Sequence, residues 1–387
     1  MVATTYATTL KEKLAKTFKK EAPGTVRERL LNTLVETLKI DNEHPDESEI
    51  TDYIRRRLAR AGVPCELDEF GNIIARTEGV GDPILLSTHM DIPEPVPNLG
   101  YIIEGDIIKS DGKGILGVDP KSGLAILIEL LCELGARKQT AYAPLEVVIT
   151  RGEEKGLIGA RNLDYSLVKA KIGLVLDEDG PVNSVVIAAP ACVYVDAAFT
   201  GKAAHPREPE LGYNALQAAT QAFSALPWGF TDEGVMWNIG KFEAGTARNT
   251  VPGAAKFHGE LRSHDDKLVA SEAERIATTL KKEAAQHNVE CTVDLIVDTE
   301  GYKHEKDVEI IQRLDRTYKN LNIEPNYYST LGRSDANIFN AHGINTAAIG
   351  SGYYNAHQYS EYADLRDMED IYEFVKEFAR VNQQTTI

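Results

Sequence analysis

Cysteine is scarce in this chain: Cys65, Cys132, Cys192 and Cys291 are the only four in 387 residues and lie far apart. No Cys-x-x-Cys spacing occurs, which argues against a thiolate metal site or a disulfide framework and fits a reducing cytoplasm. Long apolar runs are missing as well. No stretch reaches the roughly 18 apolar residues of a membrane-spanning helix, and residues 1–20 lack the apolar core of a signal peptide. Positive charge is in deficit, with 42 Lys and Arg against 59 Asp and Glu and a formal net charge of −17. Such a surface repels phosphate backbones and anionic lipid, so neither nucleic acid nor a membrane is an expected partner. Internal repeats and low-complexity segments are also absent.

What is present is an ordinary globular composition, 43% hydrophobic and 26% charged, in a chain long enough for two domains. Helical spacing of Leu30, Leu31, Leu34, Val35 and Leu38 predicts a helix over 26–38, and Ile50, Tyr53, Ile54 and Leu58 predict a second over 50–61, closed by Gly62. Hairpins are expected over 65–76, around Phe70-Gly71-Asn72, and over 101–110, around Glu104-Gly105-Asp106.

The informative stretch is Ile-Leu-Leu-Ser-Thr-His-Met-Asp over 84–91. Its apolar half suits a buried parallel strand, and it ends in His89 and Asp91, polar groups that a strand end delivers into a cleft. A His-x-Asp pair can be an ordinary hydrogen bond. It can also be a metal-binding imidazole whose tautomer the carboxylate fixes. Two more apolar strands end in acids: 145–150 leads to Glu153-Glu154, and 172–176 to Asp177. Adjacent acids on a turn are commonly solvated charges; at buried strand ends they repel unless a cation compensates. Asp119 stands at the entrance of a helix running to Leu134, where it reads either as an N-cap or as a further acid of the cleft. Pro120 follows it, and an X-Pro bond can be cis at a cost of only about 0.5–1 kcal/mol, so a cis Asp119-Pro120 bond is expected. Near the end, a short strand at 345–349 runs into Asn355-Ala356-His357, a second candidate imidazole, and a final helix is expected over 368–381.

Strands and helices alternating in this way predict an α/β fold with helices on both faces of the sheet and a site at the strand ends. Residues 191–303 read differently. Alternation at Val193, Val195, Ala197 and Phe199, a helix after Tyr213, strands near Met236 and Phe257, a helix over 265–287 and a strand over 289–297 give a βαββαβ-like, ferredoxin-like α+β insertion. The expected domains are therefore 1–190 with 304–387, and 191–303.

Taken together, His89-Met90-Asp91, Gly117-Val118-Asp119, Glu153-Glu154, Asp177, Gly201-Lys202-Ala203-Ala204-His205-Pro206 and Asn355-Ala356-His357 resemble the M20 metallopeptidases, especially the peptidase T-like branch. The resemblance spans nearly the whole chain. It implies a mixed-sheet catalytic domain with two Zn²⁺ per subunit, Co²⁺ or Mn²⁺ being possible substitutes. Asp119 would bridge the ions, His89 and Asp177 would complete one site, and Glu154 and His357 the other. Asp91 would orient His89, and Glu153 would be the general base. The insertion would be a lid that also forms a homodimer, with His205 stabilising the oxyanion. Arg248-Asn249-Thr250-Val251-Pro252 resembles the family's substrate-binding segment, with Arg248 or Asn249 gripping a carboxylate. Gly332-Arg333-Ser334-Asp335-Ala336 would be a further pocket segment, whereas Arg262 reads as structural.

The chain departs from the family in two places. Pro120 stands where many relatives have a second Asp, and Leu331-Gly332-Arg333 replaces an Arg-Gly-Gly of the aminotripeptidases. Asp rather than Glu at 177 accompanies aminopeptidases. The expected activity is hydrolysis of short peptides from a free amino end in the cytoplasm. The alternatives are a carboxypeptidase or N-acyl-amino-acid deacylase on the same scaffold, and a binding protein without chemistry.

Overall fold

The computed structural model describes residues 24–96, 99–135 and 140–381. Its largest sheet is mixed and has four neighbouring parallel strands at its centre, in the order Leu145–Thr150, Ile84–His89, Ile172–Glu178 and Asn345–Gly350. Ile84–His89 and Leu145–Thr150 are buried along their whole length and Ile172–Glu178 through Leu176, as strands covered on both faces are. Antiparallel strands flank this centre: Ile73–Arg76 pairs with Leu145–Thr150, and Ser184–Ala189 with Asn345–Gly350. All four central strands run the same way, so their carboxyl ends lie side by side along one edge.

Helix Val118–Leu134 lies across the sheet, packed against Ile84–His89 and Ile172–Glu178 on one side and under Val26–Leu38, Ser48–Ala61 and Leu365–Phe378 on the other. Leu124, Ile126, Leu127, Ile128, Leu130 and Leu131 are fully buried, each contributing about 1.5–3 kcal/mol relative to exposure. The approach is close at Gly123, where an added Cβ would sit 2.7 Å from Leu176 O and 3.0 Å from Thr88 Oγ1. Gly123→Ala is therefore expected to push the helix off the sheet and destabilise the protein by about 1–3 kcal/mol, read as a lowered midpoint in thermal unfolding.

The Cys65–Leu67 and Ile73–Arg76 hairpin and the Tyr101–Glu104 and Ile107–Ser110 hairpin form where the turn residues indicate. The second hairpin joins Tyr362–Asp364 and Tyr353–Tyr354 in a four-stranded sheet that sets the loop before Asp119 beside the turn carrying His357. Strand Ser184–Ala189 was not expected from the sequence. Only Pro190 separates it from Ala191–Thr200, yet the two strands belong to different sheets.

The second sheet is antiparallel and contains Ala191–Thr200, Met236–Ala244, Ala254–Ser263 and Glu290–Thr299, with Ala215–Ser224 and Asp266–Ala285 packed on it. Phe199, Phe223, Phe257 and Trp237 meet edge-on or tilted in its core. The chain returns to the first sheet at Tyr302–Lys303, which pairs with Ser184–Ala189. Asp298 joins the two units by accepting from Arg161 Nη2 at 2.9 Å and pairing with Arg333. No described helix is long and apolar enough to cross a membrane.

Candidate functional site

Each of the four parallel strands delivers one part of a single cluster. His89 is the last residue of its strand, Asp177 the last but one of the next, and Glu153 and Glu154 follow the end of Leu145–Thr150. The fourth strand leads through Tyr353–Tyr354 to His357, whose φ of 61° lies in the left-handed region, as does the 58° of Asn355. A histidine held there is strained, which is tolerated where surrounding contacts fix it and is common at functional sites.

Asp119 is the centre of the cluster. Although it stands at a helix entrance, its φ/ψ of −81° and 112° are not helical. The Asp119-Pro120 bond is cis. Asp119 Oδ1 lies 3.2 Å from His89 Nε2, and Oδ2 lies 3.2 Å from His357 Nε2, so one carboxylate faces both imidazoles. His89 Nε2 is also 3.1 Å from Asp177 Oδ1, and His357 Nε2 is 2.8 Å from Glu154 Oε1. Behind them, Asp91 Oδ1 lies 3.3 Å from His89 Nδ1 and accepts the Glu153 N–H at 2.9 Å, while Oδ2 accepts the Glu154 N–H at 3.1 Å. Asp91 therefore orients the imidazole and the Glu153-Glu154 turn together.

The electrostatics divide this cluster. Burial pushes the Asp177 carboxyl up to about 8, helped by Asp119 and Asp335 and opposed by His89. Burial, and next Asp177, holds Glu153 well above the usual carboxylate range. Asp119 is lowered: burial acts against this, and the imidazoles of His357 and His89 outweigh it. The adjacent carboxylates of Asp119 and Glu154 raise His357 to about 10. Acids crowded into a buried site hold protons until a cation takes their place.

These residues fit metal ions. Ligand atoms of His89, Asp119 and Glu154 lie within 4.8 Å of one another, as do those of His89, Glu153 and Asp177. Glu154 Oε1 is buried and accepts no hydrogen bond, although His357 Nε2 is 2.8 Å away. A nitrogen and an oxygen that close without a hydrogen bond between them can both turn lone pairs toward a third body. Carboxylate and imidazole ligands suit Zn²⁺ and also accept Co²⁺ or Mn²⁺.

The remaining candidates lie elsewhere. His205, Arg248 and Asn249 are exposed on the second unit. His205 Nδ1 accepts the Arg207 N–H at 3.1 Å, and none of the three is hydrogen-bonded or ion-paired to the cluster. Arg333 is paired with Asp298 and lies 5.7 Å over the Tyr194 ring, so its guanidinium is already engaged. Arg262 bonds Leu331 O at 2.8 Å and Glu260 at 3.0 Å, as a structural residue would.

Three buried acids support the site without having stood out as single residues in the sequence. Asp335, 1% exposed, pairs with the Thr150 hydroxyl and leaves Oδ1 without a partner. Glu47, also 1% exposed, accepts from Arg151 Nη2 at 2.6 Å and lies 2.6 Å from His44 Nδ1, fixing the residue that begins the Glu153 turn. Glu361 is the third. The only signal in the sequence was for Asp335, inside the Gly332-to-Ala336 segment.

Comparison with known proteins agrees with this geometry. Residues 85–381 match the family described as peptidase family M20/M25/M40. Protein YqjE of Bacillus subtilis (strain 168) is 32% identical over 358 residues, covering 90% of this chain and 96% of that one. The crystal structure of a tripeptidase from Staphylococcus aureus subsp. aureus Mu50 superposes with a TM-score of 0.86 at 29% identity, covering 91% of this chain and 97% of that one. Aminopeptidase PepT from Bacillus cereus ATCC 10987 gives a TM-score of 0.81 at 30% identity, covering 91% and 98%. The chain belongs to peptidase family M20/M25/M40, in its peptidase T-like branch, and is a metallopeptidase.

Proposed function

We propose that this enzyme is a dizinc aminopeptidase that cleaves short peptides from a free amino end. The observation that carries the reading is Asp119, whose two carboxylate oxygens each lie 3.2 Å from a different imidazole nitrogen. In this reading His89, Asp119 and Asp177 would hold one ion, and Asp119, Glu154 and His357 the other. When bound, the ions supply an acidified water and polarise the scissile carbonyl. Asp91 holds the tautomer and ring plane of His89. Glu153 takes up the proton at its carboxylate and returns it to the leaving amine, a task suited to a carboxyl whose affinity for protons burial has raised.

The unit over 191–303 is read as a lid, consistent with its separate core and its Asp298 junction. It would bring His205 to the oxyanion, from its own or a second subunit of a homodimer, and Arg248 or Asn249 to a substrate carboxylate. Arg333 supports substrate binding less well, because Asp298 already occupies it. A free-amine preference is supported by the names of the structural relatives, a tripeptidase and an aminopeptidase. The four free thiols of Cys65, Cys132, Cys192 and Cys291 support a reducing, cytoplasmic location.

The test is the initial rate of zinc-reconstituted protein on a panel of tripeptides and on the same peptides with acetylated amino ends. Faster cleavage of the free amines, abolished by a chelator, is expected. Faster cleavage of the acetylated forms would replace this reading with a carboxypeptidase or deacylase.

A further inference from the structure

Glu361 lies four residues beyond His357, is 1% exposed, and has no place in the chemistry above. Its carboxylate accepts three backbone N–H groups of the loop that enters the Asp119 helix. Oε2 takes Leu116 N at 2.6 Å and Gly117 N at 2.7 Å, and Oε1 takes Asp119 N at 3.2 Å. The Glu361 backbone is tied in as well, with its N–H donating to Gln358 O at 3.0 Å and its carbonyl accepting from Ser110 N at 3.0 Å. One side chain thus fastens the turn bearing His357 to the residue bearing the shared carboxylate.

We infer that Glu361 is a positioning residue that fixes Asp119 against His357. The inference rests on the reading of those two residues as metal ligands. The geometry calls for such a tie. His357 and Asn355 both adopt left-handed φ, and a strained turn keeps its shape only where other contacts over-determine it. Asp119 leaves regular helix geometry at the same point, with φ/ψ of −81° and 112°. Glu361 touches no metal ligand side chain; it acts on the Asp119 backbone, and through its own turn on His357. Its two oxygens also divide the work. A glutamine can keep its carbonyl oxygen on Leu116 N and Gly117 N, but it must turn an NH₂ toward Asp119 N–H. Glu361→Gln therefore releases Asp119 while leaving the loop bonded.

The experiment is zinc titration of chelator-stripped protein by calorimetry, comparing wild type with Glu361→Gln and with Glu361→Asp, which keeps the charge but withdraws it by one methylene. Both variants are expected to fold, by circular dichroism, and to lose zinc affinity about 10–100-fold. After zinc loading, kcat is expected to fall by a similar factor with KM nearly unchanged. A purely structural glutamate would lower the unfolding temperature of the metal-free protein and leave zinc affinity and kcat at wild-type values; that result in either folded variant overturns the tie. Fewer than two zinc ions on the wild type would overturn the metal reading and the tie with it. Two on the wild type with unchanged variants would overturn the tie alone.

Discussion

Glu153→Gln is expected to lower kcat by about 10²–10⁴ while leaving both metal sites filled, the range that a positioned general base contributes. Glutamine has the shape of glutamate but cannot take up the proton. The turn that places it does not depend on its side chain, because Asp91 accepts the Glu153 N–H at 2.9 Å and the Glu154 N–H at 3.1 Å. The substitution also removes an acid that burial and Asp177 press toward its protonated form. Heat stability is therefore expected to be equal to wild type or slightly higher, which separates lost chemistry from lost fold. The measurements are steady-state rates on a cleaved tripeptide, metal content by mass spectrometry and a thermal melt. A variant that keeps two metals and full activity would remove Glu153 from its role, and one that loses a metal would make Glu153 a ligand, as its closeness to His89 and Asp177 allows.

His89, Glu153, Glu154 and Asp177 were legible because each follows a run suited to a buried strand, and period and burial are what a sequence states most directly. Asp119 was ambiguous, since an acid at a helix entrance reads first as a cap; the structure instead gives its oxygens to two imidazoles. His357 needed the order of the other residues, because nothing local marks a histidine in a glycine- and tyrosine-rich turn. Glu361 and Glu47 were beyond reach for a physical reason. A buried acid and a solvated one look alike in sequence, and the difference lies in donors supplied from far along the chain, Leu116 and Gly117 for Glu361, and Arg151 for Glu47. The second unit was legible as alternating strands and its boundary at Pro190 was expected, whereas the strand Ser184–Ala189 just before that proline was not. Arg333 shows the converse limit. A motif proposes a residue for substrate, and only the fold reveals that Asp298 and the Tyr194 ring already hold it.

The stabilisation that zinc gives this protein is expected to grow as pH rises from 6 to 9. The sign follows from the metal-free site. The Asp177 carboxyl is raised to about 8, chiefly by burial, and the His357 imidazole to about 10, chiefly by Asp119. The unfolded chain releases these protons near 4 and 6.5, so at these two groups the folded metal-free protein binds more protons than the unfolded one between pH 4 and 10. Its stability must therefore fall as pH rises through this window. Two groups work in the opposite direction: the lowered Asp119, whose stabilisation is lost only in acid, below the window, and Lys121, which burial lowers to about 7, so that it offsets His357 above pH 7 and leaves the fall to Asp177. Metal ligands must be deprotonated, so the same rise in pH removes the competitor and strengthens binding. The two effects add. At free zinc about one hundred times the dissociation constant the ions stabilise by about 2.7 kcal/mol, and by more as affinity increases. Melts of chelator-treated and zinc-loaded protein at pH 6, 7, 8 and 9 should show the metal-free midpoint falling and the gap widening by several degrees. Calorimetric zinc binding at pH 7, compared across buffers of different ionisation enthalpy, should show net proton release. A constant gap with no proton release would mean that Asp177 and His357 are already deprotonated before the metal arrives, and that the acids of this cleft share their charge with a cation other than the one added.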